Sequence, residues 1–360
     1  MEEKGRMVME IRNDIMERAE ELHQNSLVID AHLDLAGELY FRRQNKEVNP
    51  LREHYLKNLR AGGLNLVVSS VYLRDDQLPE GGLRAALDQI SVLLEAIEQN
   101  DEEFCLIRKA EDMERAFSEG RIGILLYMEG LDCIGKDIRL LRILWELGVR
   151  GASLTWSRRN DLANGCCRAD RQAQISGGLS QEGIEAVKEM ERLGMFLDVS
   201  HLNDDGLEEV LKIAEKPLIA THSNSRQVHF HYRNLSDRQM QRLAAQGGMI
   251  GLNGCDCIVG CTEGEDPLGM LCRHVEHEAS MIGIDRVGLG LDFCDSYTEA
   301  EPKYPGIVRK HDCLTDHSHV PELTAALLQR GMSEEDVKKV IGENWAAYFR
   351  KVLPKSAFSA

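Results

Sequence analysis

Apolar residues in this chain gather in short, mostly continuous runs separated by polar loops and helical patterns. Eight such runs can be read: 27–34, 64–73, 122–130, 151–156, 195–201, 217–223, 249–253 and 286–293. Continuous rather than alternating runs predict strands buried on both faces, as in a parallel sheet. Between them, apolar positions recur at helical spacing. Ile184, Val187 and Met190 share a face, and Gly194 follows where a C-terminal cap belongs. Ser333 opens another helix, with Glu334, Glu335 and Asp336 in its first turn and Val337, Val340 and Ile341 on one face. Ile11, Ile15, Ala19 and Leu22 form a stripe that predicts a helix before the first strand.

Eight strands alternating with helices predict a (β/α)8 TIM barrel. The reading is one barrel domain over residues 1–360, with an N-terminal helical segment at about 1–26 and a C-terminal one at about 320–353. An open doubly wound sheet would place a Gly-rich phosphate turn after its first strand, and Asp34-Leu-Ala-Gly is not one.

Composition narrows the function classes. The chain is 43% hydrophobic and 29% charged, with a net charge of −17. That balance is globular, and it lacks the basic surplus needed to neutralise nucleic-acid phosphates or to dock on anionic lipid. No apolar stretch approaches the roughly 18 residues of a membrane span, and no secretory h-region follows the mixed-charge N-terminus. A cytoplasmic protein without nucleic-acid or membrane partners is expected. The ten cysteines are spread through a large chain, as reduced thiols usually are. In the one local cluster, Cys255-Asp-Cys257-Ile-Val-Gly-Cys261, the spacing is not the paired C-x-x-C of a zinc ribbon. It reads as loop thiols ahead of a thiolate metal site.

In a barrel, chemistry sits at the C-terminal ends of the strands. Five of the runs end in His32 and Asp34, Glu129, His201, His222 and Asp292. Each residue alone has an ordinary explanation: a strand-end histidine satisfied by hydrogen bonds, or Asp292 capping the next helix. Together, three histidines and three carboxylates converge on one mouth, where the carboxylates repel unless cations lie between them. This is a ligand set for zinc, manganese or iron. A single catalytic metal takes three protein ligands plus water, so six residues favour two metals with a bridging carboxylate.

These residues resemble the membrane dipeptidase (renal dipeptidase, peptidase M19) family of amidohydrolase-type barrels, as a bacterial-type member. The matching pieces include Ile29-Asp-Ala-His32-Leu-Asp34, Met128-Glu129-Gly130, Asp198-Val-Ser-His201, Thr221-His222-Ser223-Asn224-Ser225, Tyr232-Arg233-Asn234-Leu235-Ser236-Asp237 and Gly288-Leu-Gly-Leu-Asp292-Phe293. The resemblance runs from about Leu27 to the last helix. Most other amidohydrolase barrels open with His-x-His; here the second histidine is an aspartate, and a glutamate takes the bridge. The resemblance implies two zinc ions, one held by His32 and Asp34 and the other by His201 and His222, with Glu129 bridging. It makes Asp292 the acid/base and pairs Arg233 with the free carboxylate of a small dipeptide substrate, in a homodimer. Standing alone, Arg233 reads as a surface ion pair.

The sequence departs from the family at Trp156, where mammalian members carry a histidine that contacts the substrate carbonyl. Indole has only an N–H donor, so Trp156 lines the substrate site without titrating. Asp292-Phe293-Cys294-Asp295 replaces the usual Asp-Phe-Asp-Gly. Loops 156–176 and 294–319 are long and charged, as recognition loops often are. Three functions are compatible with this pattern. The first is a zinc dipeptidase that accepts a free C-terminal carboxylate, with a D-residue there among the options. The second is an N-acyl amino acid or lactam amidohydrolase on the same centre. The third is a non-catalytic metal- or ligand-binding barrel, which would not need Asp292.

Overall fold

The structure is a computed structural model and describes residues 11–166, 176–261, 266–301 and 312–355. Nine parallel strands form one sheet: β1 (Ile29–Leu33), β2 (Leu66–Tyr72), β3 (Phe104–Leu106), β4 (Ile122–Glu129), β5 (Val149–Ser153), β6 (Phe196–Asp198), β7 (Ile219–Ala220), β8 (Met249–Leu252) and β9 (Val287–Leu289). β1 pairs with both β2 and β9, and β2 pairs along its whole length with β4, from Leu66 opposite Gly123 to Tyr72 opposite Glu129. That last pairing closes the barrel. Eight strands make the closed circuit, and each falls within or overlaps one of the eight apolar runs.

The ninth strand, β3, is missing from the sequence reading. It has three residues and pairs only with the start of β4, on the edge that β5 occupies further along. Phe104-Cys-Leu106 is too short to declare a period, and its pairing comes from the tertiary position of the helices beside it.

The helices sit where the apolar faces require. Asn13–Asn25 buries Ile15, Ala19 and Leu22, and Gln181–Leu193 stops at Gly194, whose φ of 74° suits glycine. The helix predicted from Ser333 divides into Glu334–Lys338, a π-helical turn Lys339–Glu343 and Asn344–Val352. The turn brings Gly342 against the Leu27 carbonyl, a contact that a Cβ would obstruct.

The last of these helices closes the barrel floor. Trp345, Ala346 and Phe349 pack with the opening residues of five strands, Ile29, Leu66, Phe196, Ile219 and Met249. Trp345 Nε1 donates to the Leu289 carbonyl at 2.8 Å, which satisfies the one polar atom this fully buried ring carries. The floor is thus dry and apolar, and the opposite end is left for chemistry. No described helix is long and apolar enough to cross a membrane.

Candidate metal centre

The C-terminal strand ends lie level. Glu129, the last residue of β4, is in register with Tyr72 of β2 and Ser153 of β5. Gly130, at a φ of 87°, then turns the chain and donates its N–H to Ser153 Oγ at 2.8 Å. Glu129 is only 3% exposed. Its Oε1 lies 3.5 Å from His32 Nε2, 2.8 Å from His201 Nε2 and 3.2 Å from His222 Nε2. His32 Nε2 is also 3.8 Å from Asp34 Oδ1 and 3.7 Å from Asp292 Oδ1. All six predicted residues therefore meet at one point, although they come from five strand ends.

The hydrogen bonds fix the protonation of one ring. The Thr221 hydroxyl has a single proton, and it donates to Asp198 Oδ2 at 2.5 Å. Toward His222 Nδ1, 2.7 Å away, it accepts, so Nδ1 carries the hydrogen. Burial, followed by nearby positive charge from His32 and Arg233, holds His222 well below the ordinary imidazole range, so the ring is neutral. Its Nε2 is therefore a bare lone pair aimed at Glu129 and at His201 Nε2, 3.0 Å away. His201 is also held low by burial, and its Nδ1 meets Ser157 Oγ at 3.0 Å.

Both ring nitrogens of the fully buried His32 lack a hydrogen-bond partner. Burial would lower its pKa, but Glu129, Asp34 and Asp292 together push it up to about 10. Burial raises Glu129 well above its ordinary range, with His32 opposing. An orphaned buried Nε2, a lone pair facing a carboxylate and crowded carboxylates are all resolved by a divalent cation. The residues present fit a metal.

Asp292 lies at the edge of this set, in the left-handed region at a φ of 54°. Few residues other than glycine adopt it, and aspartate is among those that do. Its N–H donates to the His32 carbonyl at 3.2 Å, and its Oδ2 accepts from Asn253 Nδ2 at 2.8 Å. Burial pushes its carboxyl up to about 6, against the opposing charges of His32 and Arg233. It is not the cap of the next helix; Asp312 receives the N–H groups of Cys294 and Asp295 there, at 3.0 and 2.9 Å.

Arg233 is not a surface ion pair. It is 5% exposed, donating to the His222 carbonyl at 3.0 Å and to Ser223 Oγ at 3.4 Å. A guanidinium has five donors, so these two contacts aim it at the centre and leave N–H groups for an anion. Trp156 stacks on His201, with ring centroids 5.7 Å apart, between Tyr72 at 5.1 Å and the Arg158 guanidinium at 5.4 Å. Of the two long loops, residues 167–175 and 302–311 lie outside the described residues.

Two supporting carboxylates escaped the sequence reading. Asp198 is fully buried and accepts five hydrogen bonds, from Tyr127, from the Ser200 amide and hydroxyl, and from the Thr221 amide and hydroxyl. Asp30 accepts from the Leu291 amide at 2.8 Å and meets His317 Nε2 at 2.8 Å. Both stand within the quoted motifs, each two or three residues before a predicted ligand, and that spacing was the available signal.

The sequence model of the membrane dipeptidase family (peptidase family M19) matches residues 16–356. The chain belongs to this family. It is accordingly a metallopeptidase-type hydrolase, acting on peptide bonds. The dipeptidase tcpJ of Claviceps purpurea is 30% identical over 305 residues, which cover 82% of this chain and 68% of that protein. The dipeptidase verJ of Clonostachys rogersoniana is 35% identical over 263 residues, which cover 73% of this chain and 63% of that one. A metallopeptidase from Rhodobacter sphaeroides, solved with a phosphinate mimic of the dipeptide L-Ala-D-Ala, superposes with a TM-score of 0.78 at 26% identity. That match covers 91% of this chain and 99% of the other.

Proposed function

We propose that this family member is a binuclear zinc dipeptidase for short substrates with a free C-terminal carboxylate, D-residues there included. The observation that carries the reading is the position of Glu129 Oε1, within 3.5 Å of the Nε2 atoms of His32, His201 and His222 alike. A bridging carboxylate needs that placement. His32 and Asp34 would hold one ion, and His201 and His222 the other. Bound there, the ions would polarise the scissile carbonyl and lower the pKa of a water. Asp292 would take a proton from that water and return it to the leaving amine. Arg233, held against the His222 carbonyl, is shaped to take the substrate carboxylate by two parallel hydrogen bonds. Trp156 forms an apolar wall beside His201. The L-Ala-D-Ala mimic in the Rhodobacter sphaeroides relative supports a D-residue at the C-terminal end. Among the described residues no disulfide joins two cysteines, which fits a cytoplasmic setting.

The test is a dipeptide panel, varied in chirality at the second residue, run on metal-stripped and zinc-supplied protein. Stripping abolishes hydrolysis and zinc restores it, with two zinc ions per chain by elemental analysis. Full activity in chelator would remove the metal from the mechanism. Turnover of N-acyl amino acids or lactams but no dipeptide would shift the substrate class while leaving the centre in place.

A further inference from the structure

Half of the ten cysteines crowd one side of the mouth: Cys255, Cys257 and Cys261 after β8, Cys294 after β9, and Cys313 on the segment that returns to the barrel. None of them is used by the chemistry proposed above. The three segments are stitched together by backbone. Gly254 donates to the Leu291 carbonyl at 2.9 Å, and Cys313 donates to the Gly254 carbonyl at 2.9 Å. Cys255 and Asp312 form an antiparallel bridge. Asp312 in turn caps the segment that begins at Cys294.

Within this arrangement, Cys261 Sγ lies 3.4 Å from Cys313 Sγ, although 52 residues separate them in the chain. Both residues are half-buried. Cys255 and Cys257 are similarly close, at 3.6 Å, but only two residues apart. A bond between those two would constrain almost nothing. A bond between Cys261 and Cys313 would add a covalent tie between loops joined by backbone hydrogen bonds.

We propose that Cys261 and Cys313 are a redox-modification site, oxidised together to a disulfide that fastens the loop after β8 to the segment supporting the loop after β9. The oxidant is a small disulfide of the oxidised-glutathione class. One cysteine thiolate attacks it, the S–S bond of the reagent breaks, one glutathione leaves as its thiolate, and a protein–glutathione mixed disulfide remains. The second cysteine thiolate attacks the protein sulfur of that mixed disulfide and releases the second glutathione thiol. The two cysteine protons end on the two glutathione thiols, and the two electrons reduce the reagent.

The test uses the full chain with zinc supplied, incubated with oxidised glutathione, digested without reductant and mapped by mass spectrometry. The expected product is one crosslinked peptide pair containing Cys261 and Cys313, reversed by dithiothreitol. In Cys313→Ser the pair disappears and Cys261 retains a glutathione adduct; Cys261→Ser gives the converse. A main product linking Cys255 to Cys257 or to Cys294 would overturn the proposal. So would a stable adduct on Cys261 in the parent chain, or ten unmodified thiols. None of these readouts depends on what the enzyme hydrolyses.

Discussion

His317 Nε2 lies 2.8 Å from Asp30 Oδ2, in a pair that is 3% and 0% exposed. The residues are 287 positions apart, and the contact ties the segment before the C-terminal helices to the strand that carries His32. Asp30 Oδ1 also holds the Leu291 amide, one residue before Asp292. Removing the carboxylate strands both a histidine and an amide in the interior. Asp30→Ala should therefore lose about 3–5 kcal/mol of stability in urea denaturation. A loss under about 0.5 kcal/mol would show that the pair carries no structural load.

The positive φ of Asp292 makes Asp292→Asn a clean probe, because asparagine tolerates the same backbone region. The variant keeps its fold and its metal content but cannot take up or return a proton. Its dipeptide turnover should fall about 10²–10⁴-fold. Turnover equal to that of the parent would rule Asp292 out as the acid/base.

Stability should fall on acidification through His274. Its Nδ1 accepts the Ser225 amide at 3.2 Å and its Nε2 donates to the Val259 carbonyl at 2.9 Å, so only the neutral ring fits. Burial holds its pKa at about 4, against 6.5 for the ordinary side chain. Between those values the unfolded chain binds the proton and the folded one does not. The contribution is present above pH 6.5 and fades as the pH falls toward 4, by on the order of 1–3 kcal/mol. Denaturation curves at pH 7 and pH 5 read this out, and His274→Gln should flatten the difference.

Gly290→Ala tests the tightness of the mouth. A Cβ there would overlap the Thr221 carbonyl oxygen, which Gly251 also approaches from the neighbouring strand. Thr221 fixes the His222 ring, so displacing it should cost both stability, about 1–3 kcal/mol, and metal affinity. Zinc titration and thermal melts of the variant measure the two effects. Parent-like values in both would mean that the backbone relaxes freely there.

The barrel and its cluster of candidate ligands were legible for one physical reason. Strands buried on both faces must be continuously apolar, so a His, Asp or Glu that interrupts the end of a run stands out. His32, Glu129, His222 and Asp292 announce themselves in this way. Residues whose role depends on a distant partner do not. Asp30 finds His317, and Cys261 finds Cys313, only after the chain has closed on itself. Asp198 sits inside a quoted motif, yet its task of orienting His222 passes through the Thr221 hydroxyl, whose direction no spacing reveals. The short strand β3 has too few residues to show any period. Arg233 is singled out in the sequence by its flanking residues, but its burial against the His222 carbonyl is a property of the folded loop.

The Trp345 floor has a consequence for how the molecule comes into being. The side chains that fill the bottom of the barrel are supplied by Asn344–Val352, a helix that follows every described strand in the chain. All nine strands emerge before it. Until Trp345 arrives, Ile29, Leu66, Phe196, Ile219 and Met249 border an open apolar hole, and the Leu289 carbonyl lacks its donor. The floor of the barrel is therefore completed only after this helix has been made. A nascent chain stopped short of residue 344 should stay loosely packed and dependent on chaperones.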